Sequence, residues 1–170
     1  MSLKEKFNTF IETKLLPYIF KISDQPMLFQ ELLHANKVYQ EGMSLEGTIQ
    51  GYRMRIGRAY LVYLILWHFI IGVPAAVFHT FLATIDCHLL ILVAVLFTGF
   101  FFAIFSIFSE WLHEKMALQM IKKAWKNHFP HFKYELHAKE VATIFSQANQ
   151  EEVHHKDMRL YIFNNIVESK

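Results

Sequence analysis

From Ala59 to Leu112 the sequence carries no Lys and no Arg, and its only acids there are Asp86 and Glu110. Two apolar runs fill that stretch, 59–81 and 89–111. At ~1.5 Å per residue, each is long enough to cross a hydrocarbon core of about 30 Å. The second run has only Thr98, Ser106 and Ser109 as polar side chains before Glu110. The connection through Leu82, Ala83, Thr84, Ile85, Asp86, Cys87 and His88 is short, so the two helices are expected to be antiparallel neighbours. A soluble protein can bury a helical hairpin, but uncharged runs of more than about 20 residues point to a bilayer. The chain therefore reads as an all-α integral membrane protein: a two-span transmembrane helical hairpin with amphipathic cytoplasmic helices at both ends.

The flanks set the expected orientation. Arg53, Arg55 and Arg58 precede the first run, Lys115, Lys122, Lys123 and Lys126 follow the second, and no basic residue lies between. The positive-inside rule puts both termini in the cytoplasm, with a plasma (inner) membrane as the expected location. Tyr60, Tyr63 and Trp111 fall near the cytoplasmic ends, where amphipathic rings favour headgroups. The first 58 residues are too polar for a signal peptide, so the first span reads as the insertion signal itself.

Composition narrows the function. Apolar residues make up 54% and charged residues 19%, against about 45–50% and about 25% in soluble domains. A net charge of +2 is too small to argue for nucleic acid, and the single Cys87 cannot form an intrachain disulfide. No Ser/His/Asp arrangement, P-loop or dinucleotide fingerprint is present.

Three segments are expected: 1–58, 59–112 and 113–170. Leu3, Phe7, Phe10 and Ile11 predict an amphipathic helix over 2–16, split off at Pro17, fit either to lie on a membrane or to pack on the protein. A second helix is expected over 27–40, ended by Gly42, with Ser44 capping a helix that enters the first span. The second span should extend into the cytoplasm until His128-Phe129-Pro130 breaks it. Val141, Ile144, Phe145 and Ala148 mark a further short helix, and 158–167 fits a helix or a strand.

Inside the spans, Gly72 and Ala76, with Gly99, Ala103 and Ser106, form small-residue faces. Such faces can close the hairpin or meet another copy or partner subunit. Pro74 should kink the first span. His68 is the ionisable group deep in a span, and its bland role is a hydrogen bond to a neighbouring helix. His79 and His88 flank the turn; haem between them would need an oligomer.

Ten histidines produce four Glu-x-x-His spacings: Glu31/His34, Glu110/His113, Glu151/His154 and Glu152/His155. On a helix, residues i and i+3 share a face, so carboxylate and imidazole can reach one metal, as in di-iron bundles. The stretch Glu-Glu-Val-His-His-Lys-Asp (151–157) resembles the last ligand motif of membrane-bound di-iron hydroxylases acting on quinones. That resemblance covers seven residues, and the rest of the chain departs from the family's pattern. Two readings result. One is a non-catalytic anchor, assembly or interaction subunit of a membrane complex, partnered by the lipid bilayer and by another membrane protein or a second copy. The other is a membrane-bound metalloprotein, a di-iron-type oxidoreductase on a lipid-phase substrate, holding iron or zinc through Glu31, His34, Glu110, His113, Glu151 and His154.

Overall fold

A computed structural model describes residues 2–45, 47–84 and 87–168, by backbone alone at 81, 82, 167 and 168. About 76% of the described residues are helical, as the all-α reading requires, and among them two helices are long and apolar enough to cross a membrane. The chain divides into two compact units, Met1–Lys21 with Arg53–Leu112, and Ile22–Tyr52 with His113–Lys170.

The first unit begins with α1 (Leu3–Phe10), whose first turn is closed by a capping box. The Ser2 N–H donates to the Glu5 carboxylate at 2.8 Å, and the Ser2 hydroxyl accepts from the Lys4 N–H at 3.3 Å, satisfying donors the helix cannot. The helix does not stop at Pro17. It widens into a π-turn (Ile11–Leu15) and continues as α2 (Leu16–Ile19). Proline lacks an N–H and its ring crowds the carbonyl four residues back. Here the preceding Leu16 N–H reaches five residues back, to Ile11 O, and the wider turn makes room for the ring.

The first apolar helix solves the same problem in the same way. It runs as α4 (Ile56–Trp67), a π-turn (His68–Gly72) and α5 (Val73–Val77), with Pro74 just beyond the π-turn and the Val73 N–H bonded to His68 O. The expected helix start at Ser44 is not found. Ser44 lies in coil, and α4 opens at Ile56 with no side-chain cap on Arg55. The helix breaks at Phe78, before α6 (His79–Leu82). The first apolar helix is therefore 56–77 rather than 59–81. Of the expected turn, Ile85 and Asp86 lie outside the described residues. The second apolar run lies within α7 (Cys87–His128), a single helix of 42 residues that covers the expected 89–111 and the extension beyond it.

In the second unit, α3 (Phe29–Gln40) lies along α8 (Tyr134–Gln150), followed by α9 (Met158–Glu168). The ambiguous 158–167 is thus helical, and the helix marked by Val141 and Ala148 is longer than its apolar stripe. Leu32, Leu33, Met116, Ile121, Trp125, Phe129, Val141, Met158, Ile162 and Ile166 are buried. Among the described residues one polar side chain joins them: Asn36 is fully buried and donates from Nδ2 to the Ala138 carbonyl at 2.7 Å. Two short strands, β1 (Phe20–Ile22) and β2 (Tyr52–Met54), form a two-stranded sheet that no alternation in the sequence announces.

Two helices of this unit end in the same Schellman geometry. After α3, Gly42 takes φ +69 and the Met43 N–H returns to Val38 O at 3.1 Å, as the glycine foretold. After α8, Glu152 takes φ +55 and the Val153 N–H returns to Ala148 O at 3.0 Å. A side chain in the left-handed region costs about 1 kcal/mol relative to glycine. Glu152→Gly is therefore expected to raise the protein's stability by about 1 kcal/mol, read as a shift of the chemical denaturation midpoint; an unchanged or lowered midpoint would show that the position is unstrained.

Candidate functional site

The hairpin of the first unit closes on aromatic rings. Tyr63, only 4% exposed, stands at the centre. Its hydroxyl donates to the Phe101 carbonyl at 2.8 Å, using the lone pair the helix leaves free. Its ring meets Phe101, Phe105 and Phe108 at centroid distances of 5.0, 5.2 and 5.5 Å. Tyr60 stacks on Phe105 at 3.8 Å, and Trp67 meets Phe101 edge-on at 5.3 Å. Advancing from Tyr60 to Trp67 matches retreating from Phe105 to Phe101, so the helices are antiparallel, as expected. Tyr63 had read as a headgroup-level ring; its sequence position shows its depth along the helix but not that it faces inward.

Away from that seam the hairpin is bare. Ala59 and Tyr63 are the buried residues of α4, and none of the most apolar window of α7 is buried. Phe69, Ile91 and Val95 are each more than 60% exposed. Three polar side chains on these helices turn back on their own backbone: His68 Nδ1 lies 2.7 Å from Leu64 O, Thr98 donates to Ala94 O at 2.9 Å, and Ser106 to Phe102 O at 3.4 Å. For neutral His68 this contact puts the proton on Nδ1. Its partner is its own helix, not the neighbouring helix anticipated. His79 likewise bonds Ala76 O at 2.8 Å, and His88 Nδ1 lies 3.6 Å from Cys87 Sγ.

The small-residue faces do not close the hairpin. A Cβ added to Gly99 would meet nothing within 4 Å, and one at Gly72 would meet only His68 Cβ at 4.0 Å. Ala76 and Ala103 are exposed as well. Aromatic packing closes the hairpin in their stead, which leaves these faces open. The amphipathic N-terminal helix packs on the protein through Ile11, Leu16 and Ile19, all buried. Arg58 locks its end, donating to Tyr18 O at 3.0 Å with the guanidinium 4.8 Å above the Tyr18 ring, a cation at a helix C-terminus. Leu3, Phe7 and Phe10 stay exposed.

The Glu-x-x-His pairs are spread over different local structures. Glu31 and His34 are one turn apart on α3, where they line a groove of about 390 Å³ with His155 rather than His154. The Glu31 carboxylate is already used, accepting from the Leu28 N–H at 3.0 Å. Glu110 and His113 lie one turn apart on α7, and the His113 ring is 5.9 Å from Tyr52. Glu151 and His154 do not share a helix, because the Schellman turn at Glu152 ends α8 between them. Glu151 instead accepts from the Tyr161 hydroxyl at 2.8 Å, raising that phenol's pKa, and His154 Nδ1 accepts from the Lys156 N–H at 3.3 Å. Among the described residues, no three His, Cys, Asp or Glu side chains gather closely enough to hold a metal ion.

Elsewhere in this unit, Lys122 and Glu135 pair at 3.0 Å, and His137 and Glu140 at 3.1 Å. Glu135 is held below the usual carboxylate range by its own backbone N–H and by Lys122. Burial, reinforced by Tyr39, pushes the Tyr134 phenol up to about 12, so it is neutral at physiological pH. Asn36, fully buried between α3 and α8, escaped the sequence reading. Its spacing of four from Leu32 was the available signal, obscured by its polarity. Compared with protein-family models, curated proteins and solved structures, the chain finds no match.

Tyr63→Phe keeps the rings and deletes the hydroxyl. It is expected to weaken the hairpin by about 0.5–1.5 kcal/mol, measured by denaturant titration in detergent with Trp67 fluorescence as the reporter. A loss of stability no larger than that of Tyr60→Phe would remove the hydroxyl from its central role.

Proposed function

We propose that this chain is a two-span integral membrane protein with both ends in the cytoplasm. Its second unit is a non-catalytic assembly module for a membrane complex. The observation that carries the reading is the bare apolar surface of the hairpin: Phe69, Ile70, Val77, Ile91, Val95, Leu96, Phe102 and Ile107 are all more than half exposed. Soluble monomers rarely expose a contiguous apolar patch beyond about 300–600 Å². A bilayer is the solvent in which two such helices cost nothing.

The polar groups support the same reading. In hydrocarbon, backbone and side-chain donors must find partners inside the protein. His68, Thr98 and Ser106 do so on their own helices. The basic flanks, with no Lys or Arg from Ala59 to Leu112, favour a cytoplasmic location for both ends.

Support for a non-catalytic module comes from how its titratable side chains are used. Glu31 caps α3, Glu135 holds Lys122, Glu140 holds His137 and Glu151 holds Tyr161. Each is tied into local structure rather than aimed with others at a common point. The metalloprotein alternative needs several ligands at one point, and no observation among the described residues favours it. The partner is another membrane protein or a second copy, met through the open small-residue faces at Gly72 and Gly99 or through the second unit.

Cys87 is the single cysteine, exposed at the start of α7, and so is a native reporter for the turn. In intact cells a membrane-impermeant maleimide should label it from outside, and the protein should stay in the pellet after alkaline carbonate extraction. Labelling only after permeabilisation would reverse the topology, and release by carbonate would overturn the insertion.

A further inference from the structure

The second unit holds a cavity of about 430 Å³ at the corner where α7 ends and α8 begins. Three lysines, Lys122, Lys126 and Lys133, line it together with His131, against a single carboxylate, Glu135. That carboxylate is already taken, lying 3.0 Å from Lys122, whose ammonium also stands 5.5 Å from the Tyr134 ring centroid. Lys126 and Lys133 are exposed, and among the described residues neither has a carboxylate within ion-pair distance. Glu135 also feels the field of Lys133, so its one negative charge is set against three lysines and the cavity keeps a net excess of two positive charges.

The cavity wall is fixed in place. Trp125 Nε1 donates to the Phe132 carbonyl at 2.7 Å, and the Trp125 ring stacks on Phe129 at 4.4 Å and meets Tyr134 edge-on at 5.2 Å. These contacts hold the turn at Pro130 and His131, so the cavity is formed before anything binds. Phe132 and Tyr134 are half-buried at the cavity, and Tyr134 is neutral there, so each offers a ring face or edge to an apolar group.

We propose that this cavity binds an organic phosphate, its phosphoryl group between Lys126 and Lys133 and its apolar body against Phe132 and Tyr134. The charge count selects phosphate. A monoester carries about −1.5 to −2 at neutral pH, matching the excess of three lysines over one carboxylate in the lining, and an ammonium is a point charge suited to it. The rings of Phe132 and Tyr134 in the lining select an organic ester, because inorganic phosphate has no apolar body to set against them. The chemistry is common to a soluble organic phosphate and a phospholipid headgroup. The site does not depend on whether the hairpin crosses a membrane, since it lies wholly within the second unit.

Phenyl phosphate combines both features and serves as the probe. Titrated by calorimetry into the detergent-purified full chain at low ionic strength, it should bind saturably, and more tightly than inorganic phosphate. Lys126→Ala/Lys133→Ala should weaken it at least tenfold, while Lys123→Ala, on α7 but outside the cavity, should leave it within twofold. Both double-variant side chains are exposed, so the fold is retained, checked by circular dichroism. Competition in phosphatidylcholine nanodiscs with and without phosphatidic acid names the source: displacement of the probe assigns a lipid headgroup, and retention assigns a soluble ester. Absence of saturable binding, or equal weakening by Lys123→Ala, overturns the site, and equal affinity for inorganic phosphate overturns the organic body.

Discussion

The first unit depends on one constraint: over its apolar helices the backbone and the few polar side chains satisfy one another internally. A helix already meets this requirement for its own N–H and C=O groups. What needs explaining is how the exceptions are absorbed. Proline is the main one, and at both Pro17 and Pro74 the chain uses a π-turn, in which the residue before proline bonds five residues back instead of four. His68, Thr98 and Ser106 are absorbed the same way, each on a carbonyl of its own helix. Tyr63 instead spends its hydrogen bond across the seam, on Phe101. That one contact, with the rings around it, gives the hairpin a register that nonspecific apolar contact does not supply.

The second unit follows the opposite rule, an apolar core with polar groups spent at its edges. Trp125, Phe129, Met158 and Ile162 are buried, while carboxylates cap helices or pair with nearby cations. The exception there is basic rather than apolar, a preformed cavity lined by Lys122, Lys126 and Lys133 against the one carboxylate of Glu135. A bare apolar hairpin and an unneutralised basic cavity are different kinds of unfinished surface. We read the first as meeting lipid and the second as meeting a phosphate.

How much of this was legible depended on how far each signal extends along the chain. Charge exclusion accumulates over more than 50 positions, so both apolar helices were readable from Ala59 to Leu112. Local signals fared less well. The rule that proline breaks helices misplaced the boundary at Pro17, because a π-turn leaves no mark in side-chain spacing. Spacing of three suggested paired ligands at Glu151 and His154, but such spacing has meaning only while the helix continues, and Glu152 ends it in a left-handed turn. Gly72 and Gly99 were readable as small but not as unfilled, since what stands opposite a glycine is a tertiary fact. Tyr63 and Asn36 were hidden because each is polar and nonetheless buried.

The central claim is that the apolar part of α7 lies in lipid and the rest of it in water. Nitroxides placed singly at the exposed positions Ile91, Val95, Phe102, Glu114 and Lys123, in a Cys87→Ser background in nanodiscs, measure this directly by collision with oxygen and with a nickel chelate. The account predicts that oxygen, which concentrates in hydrocarbon, dominates at Ile91, Val95 and Phe102, and that the chelate dominates at Glu114 and Lys123. Chelate access at Val95 equal to that at Lys123 would contradict it.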